Sequence, residues 1–453
     1  TAIRDISKPY LFCFWEIIID TLVPLQYLSF YWYLIGTKLV ESPMSDTLCV
    51  QSLTDTDFYK LTMQQAYLHQ LPNAEGVWEF RCRTDEDLTP YADQIREQLA
   101  ALADLCVTEN QLDYLRSRAP YLKDDYLAFL RLFRFNMAQL DLRIERGSLA
   151  IKVQGPQLHV SPFEIPVMAT VSEIRNKIRY PEVDEAQIRN STQHKIEQLT
   201  RLGDDVDLSD FRFFDFGTRR RFSYRAQYIV ANMLKQALPQ QFGGTSNPHL
   251  AQELQLPFLG TMAHEWLQTH QGLNYRLVDS QKAALENWVR EYRGDLGVAL
   301  TDVIGVDAFC RDLDRYFAKL YDGFRHDSGD PLVWGEKIIA RLEELRVDPT
   351  RKMLVFSDGL DFTRAVQIYK HFKGRIQTSF GIGTWLMADF EVNKPLNVVM
   401  KMVSLGGQPV AKISDSPGKT MCHDRAFLTY LMDVFAVDAG VREHVLLHAG
   451  QGV

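Results

Sequence analysis

Apolar residues recur at helical spacing from Asp55 to Gln70, from Asp93 to Asp104 and from Asp124 to Phe133. Each stretch opens on an acid, which predicts three amphipathic helices. Between the first two, Val77-Trp78-Glu79-Phe80-Arg81-Cys82-Arg83 alternates apolar and polar positions and predicts a strand. A second strand is expected over Leu149 to Gln154, ended by Gly155-Pro156.

The rhythm then changes. Short apolar runs at Phe211 to Phe216, Gly297 to Thr301, Met353 to Phe356 and Ile376 to Phe380 end in polar or glycine-bearing turns. Helical stretches separate or follow them: Arg221 to Leu238, Ser280 to Tyr292, Val306 to Leu320, Trp334 to Leu345 and Phe362 to Phe372. Strand-helix alternation predicts a parallel sheet or an α/β barrel. Asp215, Asp302, Asp327, Asp358 and Gly381 fall at or just after expected strand ends, where such barrels carry their active sites.

Toward the end, Leu396 to Ser404 and Gln408 to Ile413 flank Gly406-Gly407 and predict a hairpin. A polar loop follows at Ser414 to Lys419. The expected organisation is an irregular α/β barrel over 156–395. A smaller α+β domain is built from 44–155 and 396–453. Leu11 to Gly36 is rich in aromatic and aliphatic residues, but Glu16, Asp20 and Pro24 interrupt it and no small-residue cleavage site follows. Residues 1–43 are therefore expected to be translated upstream sequence or a misplaced start ahead of Met44, with a membrane anchor as the alternative.

At 453 residues the chain exceeds the usual single-domain size, consistent with two domains. A net charge of -8 argues against general nucleic-acid binding, yet clustered arginines can still dominate one pocket. The six cysteines form no C-x-x-C pair and are irregularly spaced, so a reduced, cytoplasmic protein is expected; the interrupted Leu11 to Gly36 stretch likewise leads to no expected membrane association.

The polar motifs suit an anionic substrate. Arg219-Arg220-Arg221 follows Gly217, and guanidinium forks match carboxylate and phosphate; a solvated charge run is the plainer reading. Arg325-His326-Asp327-Ser328-Gly329-Asp330 brings cations and acids to one turn, with acids suited to ribose hydroxyls or Mg²⁺. Gly381-Ile382-Gly383-Thr384 offers backbone N–H groups and a hydroxyl to a phosphate, although alone it is only a tight turn. His264 lies in Ala263-His264-Glu265-Trp266. A zinc signature fails because position 268 is Gln; the open readings are a structural histidine, an acid-base group or a nucleophile, histidine being able to attack phosphorus. These motifs define no metal-ligand set.

Taken in order, Asp55 to Leu61, Glu79 to Arg83, Asp215 to Phe222, Gly244 to Asn247, Ala263 to Trp266, Arg325 to Pro331, Phe380 to Thr384 and Ser414 to Lys419 resemble bacterial nicotinate phosphoribosyltransferases from about Met44 to His423. The resemblance implies attack of the nicotinate ring nitrogen on C1 of phosphoribosyl pyrophosphate, the first step of NAD biosynthesis from nicotinate. It further implies coupling to ATP through a phosphohistidine at His264, with Mg²⁺ accompanying the phosphates, in a homodimer with shared active sites. By the same resemblance, Tyr59 and Phe216 sandwich the pyridine ring, and Arg219, Thr261 and Arg325 orient nicotinate. Gly381, Gly383 and Thr384 hold the ribose phosphate, and Asp327 serves ribose or metal. Ser246 stands where nicotinamide phosphoribosyltransferases carry an acid, which favours nicotinate. A quinolinate enzyme has no use for a phosphohistidine. A non-catalytic nucleotide sensor would be expected to lose His264 or Arg325, and both are present.

Overall fold

The computed structural model describes residues 48–413, 420 and 422–448. The expectations for residues 1–43 and for the Ser414 to Lys419 loop fall outside the described residues. In chain order the strands are β1 (Glu75–Cys82), β2 (Leu140–Glu145), β3 (Ser148–Pro156), β4 (Phe213–Asp215), β5 (Phe242–Thr245), β6 (Arg293–Leu296), β7 (Val298–Leu300), β8 (Gly323–His326), β9 (Met353–Phe356), β10 (Gln377–Ile382), β11 (Val398–Leu405) and β12 (Gln408–Pro409). The helices that position the site are α1 (Tyr59–Gln70), α2 (Glu164–Arg179), α3 (Tyr224–Ala237), α4 (His264–Thr269) and α5 (Thr384–Ala388).

Two sheets carry the architecture. One is parallel, ordered β5-β4-β10-β9-β8-β7, and its strands are linked through helices in the manner of an α/β barrel. Its interior is aromatic: the Phe356 and Phe380 rings stack at 5.7 Å, and Phe211 stacks on Phe380 at 5.0 Å. Such rings supply burial and fix strand spacing together. The other sheet is antiparallel, ordered β12-β11-β1-β3-β2. There the late strand β11 pairs along the whole of the early strand β1, from Gly76 opposite Leu405 to Cys82 opposite Val398. Trp78, Val153, Phe163, Met402 and Leu405 meet in its core, so early and late segments bury one another.

Most expected elements are present, with boundaries moved by side-chain chemistry. The first helix starts at Tyr59 rather than Asp55, because Asp55 is drawn into a fully buried pair with Arg221. The stretch Val306 to Leu320 is two helices, Val306–Asp312 and Arg315–Leu320. Asp314 breaks it by capping the second, its side chain accepting from Phe317 N at 3.0 Å. Among the described residues no helix is long and apolar enough to cross a membrane.

Candidate active site

Parallel strands leave their C-terminal ends on one rim, and here the residues following those ends converge on a single cavity of about 580 Å³. Phe216, Arg219 and Arg220 follow β4, Ser246 follows β5, Asp327 follows β8, Asp358 follows β9, and Gly383 and Thr384 follow β10. Arg325 reaches the cavity from within β8. The opposite wall comes from the antiparallel sheet: Trp78 on β1, Arg83 just beyond it, and Val399 to Met402 on β11. Tyr59, at the start of α1, contributes a second aromatic ring beside Asp57.

The end of β4 is shaped by Asp215, which is buried and does not line the cavity. Its carboxylate accepts from Gly217 N at 2.7 Å, Gln227 Nε2 at 2.7 Å and Thr245 Oγ1 at 2.8 Å. These bonds fold the chain back so that Phe216 and Arg219 point into the cavity. Position 381 must then be glycine. A Cβ there would lie 2.1 Å from the Phe216 ring, so Gly381 seats that ring and does not itself line the cavity. Thr261 also stands behind the wall. Its hydroxyl donates to Val298 O at 3.1 Å, and its carbonyl accepts from Thr62 Oγ1 at 2.6 Å.

The arginine run is not a solvated helix start. Thr218–Arg220 is a 3₁₀ turn, and α3 begins after Ser223, whose hydroxyl accepts from Ala226 N. The three guanidiniums diverge. Arg219 and Arg220 line the cavity, with Arg220 Nε donating to Val398 O at 2.9 Å. Arg221 turns away to a bidentate pair with Asp55 at 2.6 and 2.8 Å, both side chains 0% exposed, and also donates to Cys49 O. It is a structural pin between the segment before α1 and the rim.

His264 is the first residue of α4. Its Nε2 lies 2.9 Å from Asp302 Oδ1 and 3.6 Å from Asp327 Oδ2. Lys412 Nζ sits 2.6 Å from Asp302 Oδ2 and 3.7 Å from Asp327, and Ser328 Oγ donates to Asp302 at 2.6 Å. Burial and the Lys412 charge push the imidazole toward its neutral form. Burial alone would raise the Asp302 carboxyl, but Lys412 and His264 outweigh it and hold it well below the usual range. The result is a neutral imidazole whose Nε2 proton is held by a carboxylate, leaving Nδ1 as the basic nitrogen. Donor atoms of His264, Asp302 and Asp327 lie within 4.8 Å of one another, a grouping the sequence did not single out as ligands.

Behind this, Lys60 is buried between Glu164, at 2.5 Å, and Glu265, and lies 4.5 Å from the Trp78 ring centre. It ties the residue after Tyr59 to the residue after His264. On the other side, cations crowd together. Burial and neighbouring positive charges push Arg83 down to about 10, Arg220 down to about 9 and Lys401 well below the ordinary lysine range. Arg325 Nε is buried with no hydrogen-bond partner among the described residues. A cavity that gathers positive charge at this electrostatic cost is complementary to a polyanion.

Sequence reasoning missed Asp57, Arg83, Glu164, Lys401 and Lys412 as wall residues. Asp57 and Arg83 stood inside motifs already noted, and a single lysine within the apolar run of β11 was the available signal for Lys401.

Comparison with known proteins agrees with this geometry. The N-terminal domain model of the nicotinate phosphoribosyltransferase (NAPRTase) family matches residues 54–172, and the NAPRTase family model matches 211–439. The chain is 54% identical over 401 residues to nicotinate phosphoribosyltransferase 1 of Pseudomonas aeruginosa, covering 88% of this chain and 100% of that protein. It is 55% identical over 388 residues to the nicotinate phosphoribosyltransferase of Ectopseudomonas mendocina, covering 86% of this chain and 97% of that protein. The crystal structure of the Vibrio cholerae nicotinate phosphoribosyltransferase superposes with a TM-score of 0.85 at 39% identity, covering 89% of this chain and 98% of that one. With both family models matched in order over most of its length, the chain belongs to the nicotinate phosphoribosyltransferase family.

Proposed function

We propose that this chain makes nicotinate mononucleotide and pyrophosphate from nicotinate and phosphoribosyl pyrophosphate, coupled to ATP hydrolysis through a phosphohistidine at His264. The product is a pyridine nucleotide, so the step feeds NAD biosynthesis. The observation that carries the reading is one cavity holding aromatic rings, crowded cations and a carboxylate-held histidine.

In the transfer step the pyridine nitrogen forms a bond to C1 of the ribose while the C1–O bond to pyrophosphate breaks. Pyridine nitrogen already carries a free lone pair, so alignment and stabilisation of the leaving anion matter more than a general base. Tyr59 and Phe216 hold the ring, stacking being worth roughly 0.5–1.5 kcal/mol beyond area burial. Arg219, Arg325 and Ser246 face the nicotinate carboxylate, and Gly383 and Thr384 hold the ribose phosphate. Arg83, Lys401 and Lys412 take the charge of the departing pyrophosphate. Gly381 and Thr261 act indirectly, by seating Phe216 and the loop before His264.

In the ATP half-reaction His264 Nδ1 attacks the terminal phosphorus and ADP leaves. Asp302 stabilises the positive charge that develops on the imidazole. Hard carboxylate oxygens suit Mg²⁺, and Asp302 is already engaged by Lys412. Asp327 with substrate phosphate oxygens would therefore hold the ion, which neutralises phosphate charge.

The deciding experiment incubates the protein with labelled nicotinate and phosphoribosyl pyrophosphate, with and without ATP. Formation of nicotinate mononucleotide, stimulated by ATP, is expected. Binding without turnover under either condition would instead support a nucleotide sensor.

A further inference from the structure

Ser246, which favours nicotinate on sequence grounds, does not stand apart from acids. Its hydroxyl donates to Asp57 Oδ1 at 2.5 Å, and both side chains are buried on the cavity wall beside Tyr59 and Arg219. The loop is fixed from both sides: Phe58 N donates to Ser246 O at 2.7 Å, and Lys60 N to Asp57 O at 2.9 Å. An amide substrate would thus meet an anionic acceptor after all. A carboxylate substrate would meet a second carboxylate competing for the same guanidinium and hydroxyl.

Resting on the nicotinate reading above, we propose that Asp57 is a specificity-determining residue that takes up one proton when nicotinate binds, so that the Ser246 hydroxyl turns from Asp57 to the substrate carboxylate. Two carboxylates sharing one site do not both stay ionised. Asp57 is the one to yield, because the substrate has Arg219 and Arg325 to itself once Asp57 is neutral. The charged and titratable groups facing Asp57 are Arg219, Asp215, Glu164 and the Tyr59 hydroxyl. Burial is the largest influence and already pushes this carboxyl up to about 6, against the opposing pull of Ser246 and Arg219. The proton moves from solvent to Asp57 Oδ; in exchange the Ser246 O–H leaves Asp57 and donates to nicotinate.

The test has two arms. In weakly buffered solution with a pH indicator, binding of nicotinate to the unaltered protein at pH 7 to 8 should consume close to one proton per site. In steady state, KM for nicotinate should rise above pH about 6 by as much as tenfold per unit, the limit for one linked proton. Asp57→Asn should flatten that rise, lower KM for nicotinate at pH 8 by up to about a hundredfold and leave KM for phosphoribosyl pyrophosphate within about twofold. Should Asp57→Asn not fold, Ser246→Ala removes the donor from Asp57 and should move the rise to higher pH. No proton uptake, or parallel pH profiles for wild type and variant, overturns the proposal. Absence of nicotinate turnover in the unaltered protein at every pH would overturn the functional reading instead.

Discussion

His264, Arg325 and Arg221 are each decided by what a single side chain touches. His264→Ala is expected to abolish ATP hydrolysis and acid-labile phosphorylation while leaving some ATP-independent synthesis, because in the proposed mechanism the transfer step does not pass through the imidazole. Label recovered on another residue of the intact enzyme would refute the assignment. Arg325→Ala should lower stability less than loss of a paired arginine, yet reduce kcat/KM for nicotinate by at least tenfold, since its buried Nε has no hydrogen-bond partner among the described residues. Arg221→Ala should do the reverse. Removing one member of a buried pair typically costs about 3–5 kcal/mol, so a lower midpoint in urea unfolding is the readout. In the sequence only the family resemblance singles out Arg219, and the run itself does not separate Arg221 from its neighbours. Only Asp55, 166 positions away in the chain, distinguishes Arg221 from its neighbours.

At the scale of elements, the glycines after and within the strands do more for shape than for ligand contact. Gly381→Ala would drive a methyl group into the Phe216 ring, an overpacking that typically costs about 1–3 kcal/mol. KM for nicotinate should rise more than KM for phosphoribosyl pyrophosphate, and equal shifts in both would argue against the ring-seating role. Strand-helix alternation made the rim legible in advance: Asp327, Asp358 and Thr384 all follow strand ends, as period and turn residues suggested. Asp215 also ends a strand, but its hydrogen-bond partners turn it inward. The opposite wall was not legible. Lys401 reaches the cavity on β11, which pairs with β1, and Lys412 reaches it from the segment after β12; no local pattern specifies either placement. The split at Asp314 was hidden for a different reason, since apolar spacing continues through a residue that prefers to cap.

For the whole molecule, the crowded cations set function against stability. A lysine held below its ordinary pKa destabilises the fold while both states are protonated. That penalty is full below the lysine's folded-state pKa and fades as pH climbs from there to the free-lysine value. Lys401→Met should therefore raise the melting temperature of the ligand-free protein while weakening pyrophosphate binding, a trade seen at many functional sites. Inorganic pyrophosphate should stabilise the wild type by about 2.7 kcal/mol at a hundredfold excess over its Kd, and less in high salt. A variant that melts lower than wild type without ligand would contradict this account.

The pairing of β11 with β1 has a consequence for how the enzyme is made. Trp78 and Arg83 leave the ribosome more than three hundred residues before Lys401 and Lys412, yet all four wall one cavity. The antiparallel sheet must wait, with β1 unpaired on that edge, until the parallel sheet between them has been synthesised. A nascent chain that stops before Val398 lacks the strand that closes the cavity, and with it Lys401 and Lys412. Such a fragment can still own His264 and its carboxylates, but it lacks the wall that encloses them. The cavity therefore closes only when the last strands are made, and until then β1 presents an unpaired strand edge of the kind that invites aggregation.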